Sequence, residues 1–235
     1  MMEWQERAKF LILTGVIAIM ALMPFIGDNY FVRLSTSIAM YAALACAWNF
    51  IGGYAGYPSF ATAAFFGIGA YVGAIGQNAG MPMFAAWFLA MIATAALAFP
   101  LGALVLRLRG HYFAVGSIAL VEICRQIAST WRDVTGGGMG MNVPILRGGP
   151  DFAGMVFLYS MMAIAIAAFI TMVVVDRGRL GFGLRCIRQN EDAANMVGIN
   201  ADLYKTMALS LSALFSAAAG AAYACLLYTS DAADD

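Results

Sequence analysis

The sequence predicts an all-α fold, a polytopic transmembrane helical bundle of about seven spans, and three observations carry that expectation. Of its 235 residues 63% are hydrophobic and 11% charged, against about 45–50% apolar and about 25% charged in soluble domains. Apolar runs recur at lengths suited to a hydrocarbon core of about 30 Å. The charged residues gather between those runs, above all in 176–204. With 13 basic against 13 acidic residues and one histidine, no basic patch suggests a nucleic-acid partner.

The first run, FLILTGVIAIMALMPFIG (10–27), follows Arg7 and Lys9 as a signal peptide would, but it is long and no A-x-A site closes it. It reads as an uncleaved span. The second run covers 34–51 and the third 58–76, separated by GGYAGY; the fourth covers 82–106 and can tilt or kink at Pro100. The fifth, 112–128, reaches only about 25 Å at 1.5 Å per residue, short enough to be partly interfacial or shielded by neighbours. The sixth covers 153–175 and the seventh 205–228. Residues 1–228 therefore read as one transmembrane domain, followed by a polar tail, 229–235.

Basic residues orient the bundle. If 176–204 is cytoplasmic and seven spans alternate, Arg7, Lys9, Arg107, Arg109, Arg177, Arg179, Arg185, Arg188 and Lys205 lie inside, and Arg33, Arg125, Arg132 and Arg147 outside. That bias places the N-terminus in the cytoplasm.

Small residues mark helix packing. Gly69 and Gly73 form a GxxxG pair, and Ser210, Ser212, Ser216, Ala219 and Gly220 stud the seventh run, where small side chains let backbones approach in lipid. Gly52 and Gly56 have the same spacing, but GGYAGYPS (52–59) combines three glycines with a proline between two spans. It is either a tight turn at the membrane surface or a broken, re-entrant segment lining a pathway. On the second reading Gly52, Gly53, Gly56, Ser59, Thr62, Phe65 and Phe66 are candidate pathway residues. Glu122 joins them as an acid inside an apolar run; it shares a helix face with Arg125 at i, i+3. The competing reading has this pair snorkelling to the outer interface.

Sites for bond-making chemistry are missing. There is no GxxxxGK[ST], HExxH or GxSxG in the chain, TGGGMG (135–140) lacks the strand context of a dinucleotide loop, and the sole histidine, His111, sits at a span boundary. Cys46, Cys124, Cys186 and Cys225 are isolated and suit apolar packing. A conduit without an ATP site, cofactor or metal of its own is expected, not an enzyme.

LRCIRQNEDAANMVGIN (184–200) is too polar to span. It carries no proline or glycine between Leu184 and Val197, and Gly198 follows where an αL cap belongs. Leu184, Ile187, Ala194 and Val197 fall on one face, Arg185, Arg188 and Asp192 on another. An amphipathic helix at the cytoplasmic surface is expected over 184–198, and its mixed-sign polar face suits a protein groove better than lipid.

DAANMVG (192–198) resembles the EAA-x3-G motif by which ABC importer permeases present a coupling helix to their ATPases, with Asp192 in the place of the glutamate. GGYAGYPSFATAAFFGIGAY (52–71), LRGHYFAVGSIALVEICRQ followed by TGGGMGM, and IRQNEDAANMVGINADLYK (187–205) are similar, in that order, to blocks of the branched-chain amino acid permease family of the LivM and LivH type, closer to LivM. The resemblance covers about residues 35–224. It implies ATPase coupling through Arg185, Arg188, Glu191, Asp192, Ala193, Ala194 and Gly198, a second permease subunit (identical or not), two cytoplasmic ATPases that use the ATP, an external solute-binding protein, and a place in the bacterial inner membrane. Thr62 stands where the family usually has a histidine, His111 where it has an acid, and after Cys225 the chain reads LLYTSDAADD where the family continues with further spans. The last departure suggests a truncated or chimeric frame. The competing classes are a self-sufficient channel or secondary transporter for a small solute such as urea, and an accessory scaffold without transport.

Overall fold

The computed structural model describes residues 14–25, 29–106, 108, 110–141, 143 and 150–234, with side chains described as far as Leu226. Ten α-helices follow one another among these residues: α1 Thr14–Phe25, α2 Asn29–Asn49, α3 Ala61–Asn78, α4 Met83–Val105, α5 His111–Thr130, the short α6 Arg132–Thr135, α7 Pro150–Arg177, α8 Arg179–Gln189, α9 Glu191–Met196 and α10 Ala201–Asp234. A 3-10 turn, Gly137–Met139, follows α6. The expected all-helical character holds throughout the described residues.

Five of these helices are long and apolar enough to cross a bilayer: α2, α4, α5, α7 and α10. The expected third run is α3, which has 18 residues, about 27 Å of helix, but closes on Gln77 and Asn78 and is not one of the five. Part of the expected first span, residues 10–13 and 26–27, lies outside the described residues, as do Arg7, Lys9, Arg107, Arg109 and Arg147 and the side chain of His111. The fifth run is longer than expected. Its 20 residues measure about 30 Å, so it does not fall short of the hydrocarbon core. The helix of the fourth run continues through Pro100.

α10 is the axis of the bundle. It packs most extensively on α3 and α4, while α2 lies along α7; 67% of the α10 span is buried within the chain, against 17% for α5. Lipid gives no hydrophobic drive to helix association, so close approach of backbones must supply the contact energy. Glycines allow it here. A Cβ on Gly69 would lie 2.3 Å from the Ala217 Cα, one on Gly73 2.8 Å from the Ala221 Cβ, and one on Gly220 2.0 Å from the Phe66 carbonyl oxygen. The Gly69/Gly73 pair is therefore the seam between α3 and α10, as its spacing predicted. At one end of this seam Gln77 Nε2 donates to Cys225 Sγ at 2.8 Å.

At the other end the helices converge on α8 and α9. The C-terminus of α4 and the N-termini of α5 and α10 meet there, joined by the non-helical stretch between α2 and α3. α10 starts at Ala201, ahead of the expected 205, because Asn195 Oδ1 accepts from the Ala201 amide and Asn200 Oδ1 from the Leu203 amide, each at 3.1 Å. These bonds satisfy first-turn amides that otherwise lack a partner. The helix also continues past the expected end at 228, to Asp234.

Gly220→Ala should force α3 and α10 apart and lower stability by about 1–3 kcal/mol, whereas Gly67→Ala, with nothing within 4 Å of the added carbon, should be neutral. Thermal unfolding of both variants in detergent tests this; equal midpoints would mean that the seam is not close-packed.

Candidate functional site

The single amphipathic helix expected over 184–198 is two helices. Asn190 adopts φ −160, ψ 110, and its side chain accepts from the Ala193 amide at 3.0 Å, so it closes α8 and caps α9. The physical reason is the usual preference of asparagine for the N-cap, reinforced by Glu191 and Asp192 in the first turn at the positive end of the helix dipole. Gly198 follows with φ +88, the αL residue expected after the last turn. The break changes which residues share a face. Leu184, Ile187 and Ala194 are buried, but Val197, expected beside them, is 75% exposed because α9 has already ended.

Glu191 is the hub of the unit. Its Oε1 pairs with Lys205 Nζ at 2.8 Å, and its Oε2 accepts from the Tyr57 hydroxyl. Lys205, on the first turns of α10, has no exposed surface, and bringing its charge out of water costs several kcal/mol. Four neighbours offset that cost: Glu191, the Leu106 carbonyl at 3.4 Å, Asp202 at 3.4 Å, and the ring of Tyr57, whose centroid lies 5.0 Å from Nζ. Leu106 caps the C-terminus of α4, where the helix dipole favours a cation. One buried ammonium thus ties together α4, α9, α10 and the segment before α3.

That segment, non-helical over 50–60, is largely buried at Phe50, Ile51, Ala55, Tyr57 and Ser59. Irregular backbone at a bilayer is tolerated where protein covers it, and here α8 does so. Arg188 Nη1 donates to the Gly53 carbonyl at 2.9 Å, and Gly56, at φ +73, would place a Cβ 2.9 Å from the Arg188 side chain. Tyr57 meets Phe113 of α5 edge-on at 5.4 Å. Tyr54 donates to the Met172 carbonyl of α7 at 3.2 Å; burial, and after it the Asp176 carboxylate, push its phenol above the ordinary value and keep it a donor. Arg185 is held by the carboxylate of Asp176 and by its carbonyl, the latter at 3.0 Å.

The predicted coupling residues therefore divide. Arg185 and Glu191 bind the unit to the long helices α7 and α10, Arg188 binds it to the stretch 50–60, and Ala194 is core. Asp192, Ala193 and Gly198 are exposed. Beside them Met196 is 87% exposed, an apolar neighbour to Val197 that sequence reasoning passed over. Lys205 and Tyr57 were missed as well. Lys205 carried a signal, a lone lysine near the start of an apolar helix; Tyr57 carried none, since its partner lies more than a hundred residues away.

The predicted pathway residues divide too. Ser59, Thr62 and Phe66 line an open groove of about 490 Å³ between α2 and α3, with Tyr41 and Trp48 opposite. Thr62 Oγ1 is buried with no hydrogen-bond partner among the described residues. Phe66 also lines a second groove, of about 290 Å³, among α3, α10 and the 140–143 segment, with Tyr71 and Tyr223. The two lie toward opposite ends of α3, along one face of it. Gly52, Gly53 and Gly56 line neither groove and shape the segment under α8, while Phe65 is fully buried in the core. Glu122 is elsewhere, on the outward side of α5 and paired with Arg125.

Long apolar helices around a glycine seam, with a short polar two-helix unit clamped across their ends, define a multi-pass helical membrane protein. A family model described as "Branched-chain amino acid transport system / permease component" matches residues 30–234. The chain belongs to that family. It is 28% identical over 242 residues to the high-affinity branched-chain amino acid transport system permease protein LivM of Salmonella typhimurium strain LT2, and 27% identical over 242 residues to that of Escherichia coli strain K12. Each alignment covers 91% of this chain and 57% of the relative, so the chain spans somewhat over half the length of the curated relatives it matches. No solved structure matches it.

Removing one partner of a buried ion pair costs about 3–5 kcal/mol, whereas replacing both is far milder. Lys205→Met should therefore destabilise the chain by that amount, and Lys205→Met combined with Glu191→Gln should recover much of it. Denaturation of the two single variants and the double variant tests the pair; additive losses would show that it does not exist.

Proposed function

We propose that this chain is a permease subunit of an ABC importer for branched-chain or related hydrophobic amino acids. It forms one transmembrane domain in the bacterial cytoplasmic membrane, in which α1, α2, α3, α4, α5, α7 and α10 make seven alternating crossings and the N-terminus lies on the cytoplasmic side with α8 and α9. The convergence of alternate helix ends on that unit supports the count and the orientation. A second permease subunit, identical or not, two cytoplasmic ATPases and an external solute-binding protein complete the transporter. ATP is bound and hydrolysed by the partners, and the chain needs no cofactor of its own.

The observation that carries this reading is the α8–α9 unit. It is fixed from behind by the Lys205–Glu191–Tyr57 cluster and offers Asp192, Met196 and Val197 outward. Two large apolar side chains standing in water beside a carboxylate suit a protein groove, since burying each is worth about 1.5–3 kcal/mol, while an acid at that position disfavours anionic lipid. Movement of the ATPases then acts on a lever whose other side is bonded to the segment before α3. Cargo passes along the face of α3 that carries Ser59, Thr62 and Phe66, and along the outward face of α5 with Glu122; the second permease closes both.

Asp192→Lys, and separately the pair Met196→Lys and Val197→Lys, should weaken ATPase association at least tenfold, and the Met196 and Val197 pair should do so without lowering the melting temperature, because both side chains stand outside the buried cluster. Co-purification of the ATPases with the chain in its transporter measures this. Undiminished association would overturn the coupling assignment, and amino-acid flux through liposomes holding the chain without ATPase or ATP would overturn the importer reading.

A further inference from the structure

α5 is the least covered of the long helices. One side, Phe113, Ser117 and Leu120, is buried in the chain; the other, with Val115, Ile118, Glu122 and Arg125, is open. Glu122 Oε1 accepts from Arg125 Nη2 at 2.6 Å and its Oε2 from Arg125 Nε at 3.0 Å, a bidentate pair with side chains 59% and 70% exposed. From Glu122 to the end of the helix at Thr130 is about 12 Å of axis, and back to His111 about 16 Å. A glutamate side chain cannot snorkel over such a distance. Its carboxylate stands near the middle of the span with no further cover among the described residues, where charged groups are expected to face another protein helix or a watery cavity.

We propose that Glu122 and Arg125 form the binding site for the charged head of the cargo, a zwitterionic α-amino acid, on the side of α5 that faces the pathway; this rests on the importer reading above. The chemistry is complementary atom for atom. The ammonium of the ligand takes the place of the guanidinium against Glu122, and its carboxylate takes the place of Glu122 in the fork of Arg125, where two parallel N–H donors fit a carboxylate. Each charge exchanges one partner for another of the same sign, so the occupied and empty sites both carry zero net charge. A ligand with a single charge would leave one member of the pair uncompensated in a medium of low dielectric, which excludes it. The aliphatic side chain needs no polar partner and is served by the apolar residues that flank the pair. The spacing of acid and base on adjacent turns thus selects the head group, and the remainder of the pathway is free to tolerate different side chains.

The test measures binding of labelled leucine to the solubilised transporter without its external binding protein, and ATP-driven leucine uptake with that protein present. Wild type should bind leucine, and leucinamide (a cation) and 4-methylpentanoate (an anion) should compete at least tenfold more weakly. Glu122→Asp keeps the charge and shortens its reach; it should lower leucine affinity at least fivefold with ATPase association intact. The exchange Glu122→Arg with Arg125→Glu re-forms an ion pair in reversed order and should lower affinity at least tenfold. Wild-type affinity in either variant, equal competition by either analogue, or no leucine binding by a transporter that takes leucine up would overturn the site. Absence of ATP-driven uptake by the wild-type transporter would instead overturn the importer reading.

Discussion

The folded arrangement at one end of this bundle depends on a single buried charge. Lys205 has no exposed surface, and its ammonium must be matched by groups held at fixed distances or the chain would not bury it. Those groups come from four parts of the sequence: Glu191 at the start of α9, the Leu106 carbonyl at the end of α4, Asp202 one turn back on α10, and the Tyr57 ring from the stretch before α3. Hydrophobic contact alone would let these segments slide past one another. An ion pair with the Tyr57–Glu191 bond behind it fixes their register, because any slip leaves a charge without a partner.

Away from that end, close approach takes over from charge. The α3–α10 seam is made by glycines whose missing side chains admit the opposing backbone, and two buried hydroxyls turn back on the carbonyl one turn earlier in their own helix, Ser216 on Ser212 at 2.7 Å and Thr36 on Val32 at 2.8 Å. Such bonds satisfy the hydroxyl without demanding a partner across the interface. The α3–α10 seam is therefore specified by shape, and the α8–α9 end by electrostatics.

Much of the fold was legible in the sequence because the signals are local. Apolar runs announce the long helices, small residues at spacing four announce the seam, and Gly198 announces an αL cap. Other features required a competition to be judged correctly. Asn190, followed by Glu191 and Asp192, has the composition of an N-cap, a signal masked by the absence of proline or glycine and by the apolar stripe that can be drawn from Leu184 to Val197. The stripe misleads in its last member, since Val197 projects outward once α9 has stopped at Met196. Lys205 and Tyr57 illustrate the part that no local pattern reveals. A lysine at the start of an apolar helix reads as an interfacial charge until a carboxylate from another element is seen to neutralise it. For Glu122 the i, i+3 spacing announces the pairing with Arg125, yet not the side of α5 it occupies, because a membrane helix carries apolar residues on its lipid-facing side as well as on its inner one.

The placement of the stretch 50–60 links the two sets of residues that sequence reasoning had kept apart. Its glycines were read as pathway features and α9 as a docking feature, but Gly53 and Tyr57 are bonded to Arg188 and Glu191, and within two to five residues the same stretch becomes the wall of the groove at Ser59 and Thr62. A helix can carry a displacement along its axis but resists bending; a non-helical segment can change shape by rotation about a few φ and ψ angles without surrendering a ladder of hydrogen bonds. Coupling between distant sites requires an element with two arrangements that both sites can bias. Among the described residues the stretch 50–60 meets the structural half of that requirement: one end is bonded to the α8–α9 unit, and the other is anchored at the N-terminus of α3, where Ser117 Oγ accepts from the Phe60 amide at 3.0 Å. A push on α9 that breaks or strengthens the Tyr57 contact would change the shape of this stretch before it could move the glycine-locked body of α3, so the groove at Thr62 is where such a push is first felt.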